Sequence, residues 1–149
     1  MALHFDAGED FARDKPALHP CPNLDGFRCT IHDRLDVAGY SGCARYDCLG
    51  AGQRVTTDLF PGADWHRDPA LRAPMAEAFA TLRRVHTGLE LIAAAESLRL
   101  PPELDAERAS LFALFHPAAG WTRKTLADLD LPAATRRLST FLTALRPHV

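Results

Sequence analysis

The sequence predicts a mainly α-helical protein in which an irregular, cysteine-rich N-terminal lobe packs on a small antiparallel helical bundle. Two observations support this fold class. All four cysteines lie between positions 21 and 48, and apolar residues recur with a helical period of about 3.6 residues after Asp68. We therefore divide the chain into a lobe, residues 1–52, and a bundle, residues 53–149, which together are expected to form one structural unit.

The lobe is rich in residues that interrupt helices and strands. It contains Pro16, Pro20, Pro22, Gly26, Gly39, Gly42, Gly50 and Gly52. Short turns and loops, held by something other than a large core, are expected there. The Gly-Ala-Gly at position 50 lacks the Lys-Ser/Thr of a phosphate loop and is interpreted as a turn.

The first helix of the bundle is predicted from Asp68 to about Leu98. Asp68 is a good N-cap, and Pro69 suits the first helical position. Pro74 lies near the first turns, where it either kinks the helix or precedes its start. Apolar residues repeat at three- and four-residue steps: Leu71, Met75, Ala78, Leu82, Val85, Leu89 and Ile92.

Three further helical segments follow. Pro101 and Pro102 end the long helix, and the next helix runs over residues 103–116. Thr122 is expected to cap a short turn through Leu126. A last helix begins near Leu131 and is ended by Pro147, with Leu138, Phe141 and Leu142 among its inward residues.

Composition limits the functional classes. The chain has 149 residues, 47% hydrophobic and 24% charged, which suits one globular domain, and its net charge of -2 does not favour nucleic acid as a partner. The longest apolar runs are interrupted by Glu90 and Glu96 and are too short for a membrane span. The N-terminus lacks the pattern of a secretory signal, which predicts a cytoplasmic protein with reduced cysteines.

The cysteines and one histidine have a spacing that suits metal binding. Cys21, Cys29, His32, Cys43 and Cys48 form the pattern C-x7-C-x2-H-x10-C-x4-C. Four thiolates with an imidazole nearby suit zinc or iron, including an iron–sulfur cluster. Two alternatives stay open: the cysteines are small buried hydrophobes, and His32 is a hydrogen-bonded structural residue.

Three motifs resemble a known group of proteins. DFA-x-DKP, C-x-IH-x-RL and YDC-x-GAGQ are similar to the segment preceding the repeats in bacterial pentapeptide-repeat-containing proteins. This segment also resembles, more distantly, the domain described as a zinc- or iron-chelating cysteine cluster. Related clusters are associated with flagellin lysine methylases, where an iron–sulfur cluster is implied. The resemblance covers most of the chain without the repeats, and implies metal binding by Cys21, Cys29, Cys43 and Cys48.

In the proteins that this chain resembles, a further stretch of the type C-x2-C-x3-CC precedes the residues matching Ala2-Leu3-His4-Phe5. The resemblance therefore predicts either that the natural chain starts upstream of Met1 or that this member has lost half of its ligands. Four cysteines make at most one ordinary four-coordinate site.

The sequence thus favours a metal-binding module of structural or sensory role. One alternative is a helical interaction module that has lost its metal site and binds an unknown protein partner. Another is an iron–sulfur-dependent redox accessory protein. Catalysis is less favoured, because no Ser-His-Asp grouping stands out and a nucleophile paired with His32 would lack an oxyanion hole.

Overall fold

A computed structural model describes residues 3–149, and helices dominate this range. Strands in the described range form one two-stranded sheet. The mainly α fold class is therefore confirmed. The described chain divides into two compact units. The cysteine unit contains the residues up to Cys48 together with Gly62–Glu77, and the bundle unit contains Leu49–Pro61 with Ala78–Val149.

The structure divides the chain differently from a boundary at residue 52. Leu49–Pro61 belongs to the bundle unit because it carries a buried apolar face, made by Ala51, Val55 and Leu59. Gly50 has a φ of 77° and makes the predicted turn, which glycine adopts without steric cost. Helix begins directly after it.

Short elements make up the cysteine unit, as its prolines and glycines predict. Strands β1, Leu24–Asp25, and β2, Arg28–Cys29, pair antiparallel with Leu24 opposite Cys29. Gly26, with a φ of 54°, supplies the left-handed backbone of the hairpin turn. A 3₁₀ turn, His32–Arg34, and helix α1, Ser41–Arg45, follow.

A small aromatic cluster holds the first part of this unit. The rings of Phe5 and Phe11 stack with centroids 4.3 Å apart, and the buried Tyr40 ring meets both edge-on. The backbones of Phe5 and Lys15 exchange hydrogen bonds of 3.1 and 2.7 Å. These contacts connect the N-terminal segment to the region before α1.

Helix α2, Ala51–Arg54, continues into a π-helical turn, Val55–Leu59. The long predicted helix follows as α3, Arg72–Ala94, preceded by a 3₁₀ turn at Pro69–Leu71 and followed by another at Ala95–Ser97. Asp68 caps this start, since its side chain accepts a hydrogen bond from the Ala70 amide. Pro74 lies in the first turn of α3, where its missing N–H costs little.

The remaining helices are α4, Pro102–Phe115, α5, Arg123–Ala127, and α6, Leu131–Ala144, with a final 3₁₀ turn at Arg146–His148. Thr122 caps α5 in a reciprocal arrangement with Thr125, and the Asp130 side chain caps α6. The caps explain why the predicted and observed helix starts agree closely.

One apolar core holds the bundle unit. The residues Val85, Ile92, Leu138 and Phe141, which the apolar period predicts to face inward, are buried in it. Leu111 and Phe115 of α4 are buried with them, while Leu89 and Leu142 pack against this core half-buried. Leu82 is also buried. Among the described residues, no helix is long and apolar enough to cross a membrane.

Candidate functional site

The cysteine unit contains an open pocket of about 900 Å³ lined by three of its four cysteines and by His32. Cys21 lies in the loop before β1, Cys29 ends β2, and His32 begins the 3₁₀ turn after it. Cys43 lies in the middle of α1. Four short elements thus direct three thiols and one imidazole to the walls of one pocket.

Cys48 is the exception among the predicted ligands. It is half-buried and lies outside the described lining of the pocket. Cys21, Cys29 and Cys43 are free thiols, and Cys29 and Cys43 are exposed. Exposure of these two side chains does not fit the alternative in which the cysteines are small buried hydrophobes.

The pKa of the Cys43 thiol depends on the other two cysteines that line the pocket. Partial desolvation by its neighbours raises the pKa of Cys43 above its ordinary value, and the negative charges of the Cys21 and Cys29 thiolates raise it further. A cation among them would reverse this effect and favour the thiolates.

Lys15 is a buried cation beside the same pocket. Its side chain is 4% exposed, and its Nζ donates to the carbonyls of His19 at 2.9 Å and Pro16 at 3.3 Å. Burial lowers the pKa of Lys15, while the negative charge of Cys21 acts in the opposite direction. A buried ammonium that is not fully paired stabilises negative charge nearby.

Sequence reasoning did not single out Lys15 as a site residue. The only available signal was its place in the DKP motif.

Asn23 adds an unpartnered hydrogen-bond donor to the pocket. Its amide Nδ2 is buried and has no hydrogen-bond partner in the described part of the chain, although Asn23 lines the same pocket as the thiols. Buried donors usually find an acceptor, and a metal-bound thiolate is a suitable one. Asn23 lies in no sequence pattern that would distinguish it from other polar residues.

The chemistry of the donors fits a metal ion, since three thiolates with an imidazole are a common ligand set for structural zinc. Their arrangement is open: within residues 3–149, no three Cys, His, Asp or Glu side chains converge closely enough to hold a metal ion. The residues that line the pocket thus supply the ligand types without a closed coordination sphere.

His86 lies in the bundle unit and has a structural contact of its own. Its Nδ1 donates to the carbonyl of Leu49 at 2.6 Å, and the side chain is half-buried. This contact gives His86 a structural role within the bundle unit.

Comparison with known proteins finds a relative of unknown function but no matching family model. The chain is similar to the uncharacterized protein YybG of Bacillus subtilis (strain 168), with 33% identity over 132 residues. This match covers 88% of the chain and 47% of YybG, so the chain spans about half the length of the curated relative it matches. No described protein family matches the sequence, and no solved structure is significantly similar.

Proposed function

We propose that the cysteine unit binds one metal ion, zinc or iron, through the thiolates of Cys21, Cys29 and Cys43 with His32 as the fourth ligand. The observation that supports this most is the set of three thiols and one imidazole around a single pocket. The resemblance to cysteine-cluster proteins supports Cys21, Cys29 and Cys43 as ligands but also implies Cys48, and it implies nothing for His32. Cys48, which lies outside the pocket lining, is not part of the proposed ligand set.

Coordination requires a local rearrangement of this unit. In a tetrahedral site with zinc–sulfur bonds of about 2.3 Å, the sulfurs lie within about 4 Å of one another. The elements that carry them are only two to five residues long. Loops and short elements of this kind move at low cost, so metal binding and ordering of the unit are coupled.

Two neighbouring groups favour the bound thiolates. Three thiolates and one Zn²⁺ carry a net charge of −1, which the ammonium of Lys15 offsets. The buried amide of Asn23 donates a hydrogen bond to one of the sulfurs. Both groups stabilise thiolates more than neutral thiols, which favours the metal-bound form. The role of the ion is structural or sensory.

Metal analysis of the full chain, purified without an affinity tag and reconstituted with zinc or ferrous iron, tests this proposal. We expect about one ion per chain. Cys43→Ser lowers the metal content strongly, while Cys48→Ser, the matched control, leaves it unchanged. Iron together with inorganic sulfide would instead favour the redox accessory protein. No metal uptake would contradict the proposal and favour the interaction module.

A further inference from the structure

The bundle unit contains a second candidate site, which has no residue in common with the cysteine-lined pocket. Two adjoining pockets, of about 230 and 270 Å³, are both lined by Arg54, His86, Leu89 and His116. Every residue that lines them belongs to the bundle unit. The inference drawn from them goes beyond the proposed metal binding and does not depend on it.

The pocket of about 230 Å³, called the inner pocket below, has an apolar floor. Leu82 and Phe115 are buried, while Leu89 and Trp121 are half-buried around it. The Trp121 indole is held in place because its Nε1 donates to the Phe115 carbonyl at 3.3 Å. An apolar cavity of about 150 Å³ is known to admit benzene, so this pocket has room for one ring with a substituent.

His86 presents a hydrogen-bond acceptor at this pocket. Because its Nδ1 donates to the Leu49 carbonyl at 2.6 Å, the neutral ring carries its proton on Nδ1 and has a lone pair on Nε2. Nε2 has no protein partner in the described part of the chain. Leu49 itself has a φ of 51°, a conformation that costs energy for a residue other than glycine. The fold therefore keeps the Leu49 carbonyl in place although the backbone conformation of Leu49 is strained.

Arg54 supplies hydrogen-bond donors beside this histidine. It ends α2, and its Nη1 donates to Asp58 in the π-helical turn at 2.7 Å. A guanidinium has five N–H donors, so this ion pair leaves others available. Hydrogen bonds from Thr57 and Arg54 lower the pKa of Asp58, which keeps it ionised and paired. His116 and the exposed Glu90 complete the polar rim of the two pockets.

We propose that this pocket binds a small weak organic acid with an apolar body of about one ring. The acid binds in its protonated form, so its conjugate base takes up one proton from solvent on binding. The carbonyl oxygen of the acid group accepts a hydrogen bond from Arg54, its O–H donates to Nε2 of His86, and its apolar body lies against the pocket floor beside Trp121. An ammonium group would lie beside the positive charge of the Arg54 guanidinium, which repels it, and would lose the hydrogen bond that Arg54 donates to an acid. A neutral alcohol would make the hydrogen bond to His86 without the charge-assisted bond to Arg54.

Binding of benzoate to the full chain, with benzyl alcohol and benzylamine for comparison, tests the proposed ligand class. Two-dimensional NMR follows the ring nitrogens of His86 and the indole N–H of Trp121. We expect saturable shifts of both with benzoate, at an affinity at least about tenfold higher than for the other two probes. No saturable binding, or equal affinity for all three probes, would overturn the proposal.

Two substitutions of His86 separate its anchoring nitrogen from its binding nitrogen. His86→Asn keeps a donor where Nδ1 lies but removes Nε2, so the fold remains and benzoate affinity falls at least about tenfold. His86→Gln, which places its amide near Nε2, retains affinity within about threefold. Unchanged affinity in His86→Asn would exclude the proposed role of Nε2.

Substitution of Arg54 does not depend on the folding of the histidine variants. Arg54→Met is expected to lower benzoate affinity about tenfold. Arg137→Met, the matched control, removes another arginine from an ion pair of the bundle unit, with Glu107, outside the pocket lining and leaves the affinity unchanged. Equal effects of the two substitutions would contradict a specific role for Arg54.

Discussion

Lys15 shows how one buried side chain links the fold of the cysteine unit to its chemistry. Its ammonium satisfies two carbonyls and lies 5.1 Å from the centre of the Phe5 ring. The cysteines and the Thr122 cap were predictable, because residue type and local spacing define them. The burial of Lys15 and the bond between His86 and Leu49 were not, since such contacts join residues that only the fold brings together; the second spans 37 positions.

The cap of α5 allows a test of a single residue. Thr122→Ala removes the oxygen that accepts from the Thr125 amide, so we expect the free energy of unfolding to fall by about 1 kcal/mol. Denaturant unfolding followed by circular dichroism measures this loss. Thr140→Ala, an exposed site inside α6, serves as the control and should change stability by less than about 0.5 kcal/mol. Equal losses would mean that the cap is unimportant.

At the scale of elements, helices α3 to α6 were predictable and the α2 segment was not. The long helices are recognisable in the sequence by their apolar period, and Asp68 and Thr122 are recognisable caps before α3 and α5. Helix α2 has only four residues before its π-helical turn, too few for a recognisable period. Its place in the bundle unit comes from the burial of Ala51, Val55 and Leu59, which depends on tertiary packing.

Helices α4 and α6 are joined by an ion pair that predicts a pH dependence. Both Nε and Nη2 of Arg137 donate to the Glu107 carboxylate at 2.7 Å, and Nη2 also donates to Ser110. Hydrogen bonding to Arg137 lowers the pKa of Glu107 below its ordinary value. The pair therefore stabilises the fold above the ordinary glutamate pKa of about 4.3, and the gain is lost as the pH falls below it.

Glu107→Gln should destabilise the protein by roughly 0.5–1 kcal/mol at pH 7 and by less at pH 3, because protonation of Glu107 removes the gain as the pH falls. Urea unfolding at both pH values checks this expectation. Glu96→Gln, at another exposed position of the bundle unit, should have little effect at either pH. A difference as large at pH 3 as at pH 7 would show that the ion pair is not its source.

At the scale of the whole molecule, the chain forms two units, and neither unit is one continuous segment of the sequence. Gly62–Glu77 returns to the cysteine unit after Leu49–Pro61 has joined the bundle unit. Composition along the chain cannot reveal such a return, because it reflects neighbours in sequence and not neighbours in space. The core residues were predictable, since each lies on a periodic apolar face whose partner is another such face.

The core of the bundle unit can be tested by removing one ring. Phe141 is 2% exposed within the core, so Phe141→Ala should cost about 3–5 kcal/mol through the cavity it leaves. Phe112 is 45% exposed, and Phe112→Ala is the matched control with an expected loss below about 1 kcal/mol. Thermal unfolding compares the two variants. Similar losses would indicate that α6 does not complete this core.

Titration of the reduced full chain with Co²⁺, a spectroscopic substitute for zinc, tests the proposed metal site most directly. The charge-transfer absorbance from sulfur to cobalt increases with the number of thiolate ligands, so it counts the cysteines that bind. We predict saturation at about one ion per chain, an absorbance lowered by about one third in Cys43→Ser, and no change in Cys48→Ser. Absence of this absorbance in the wild type, or an equal loss in both variants, would contradict a site built from Cys21, Cys29 and Cys43.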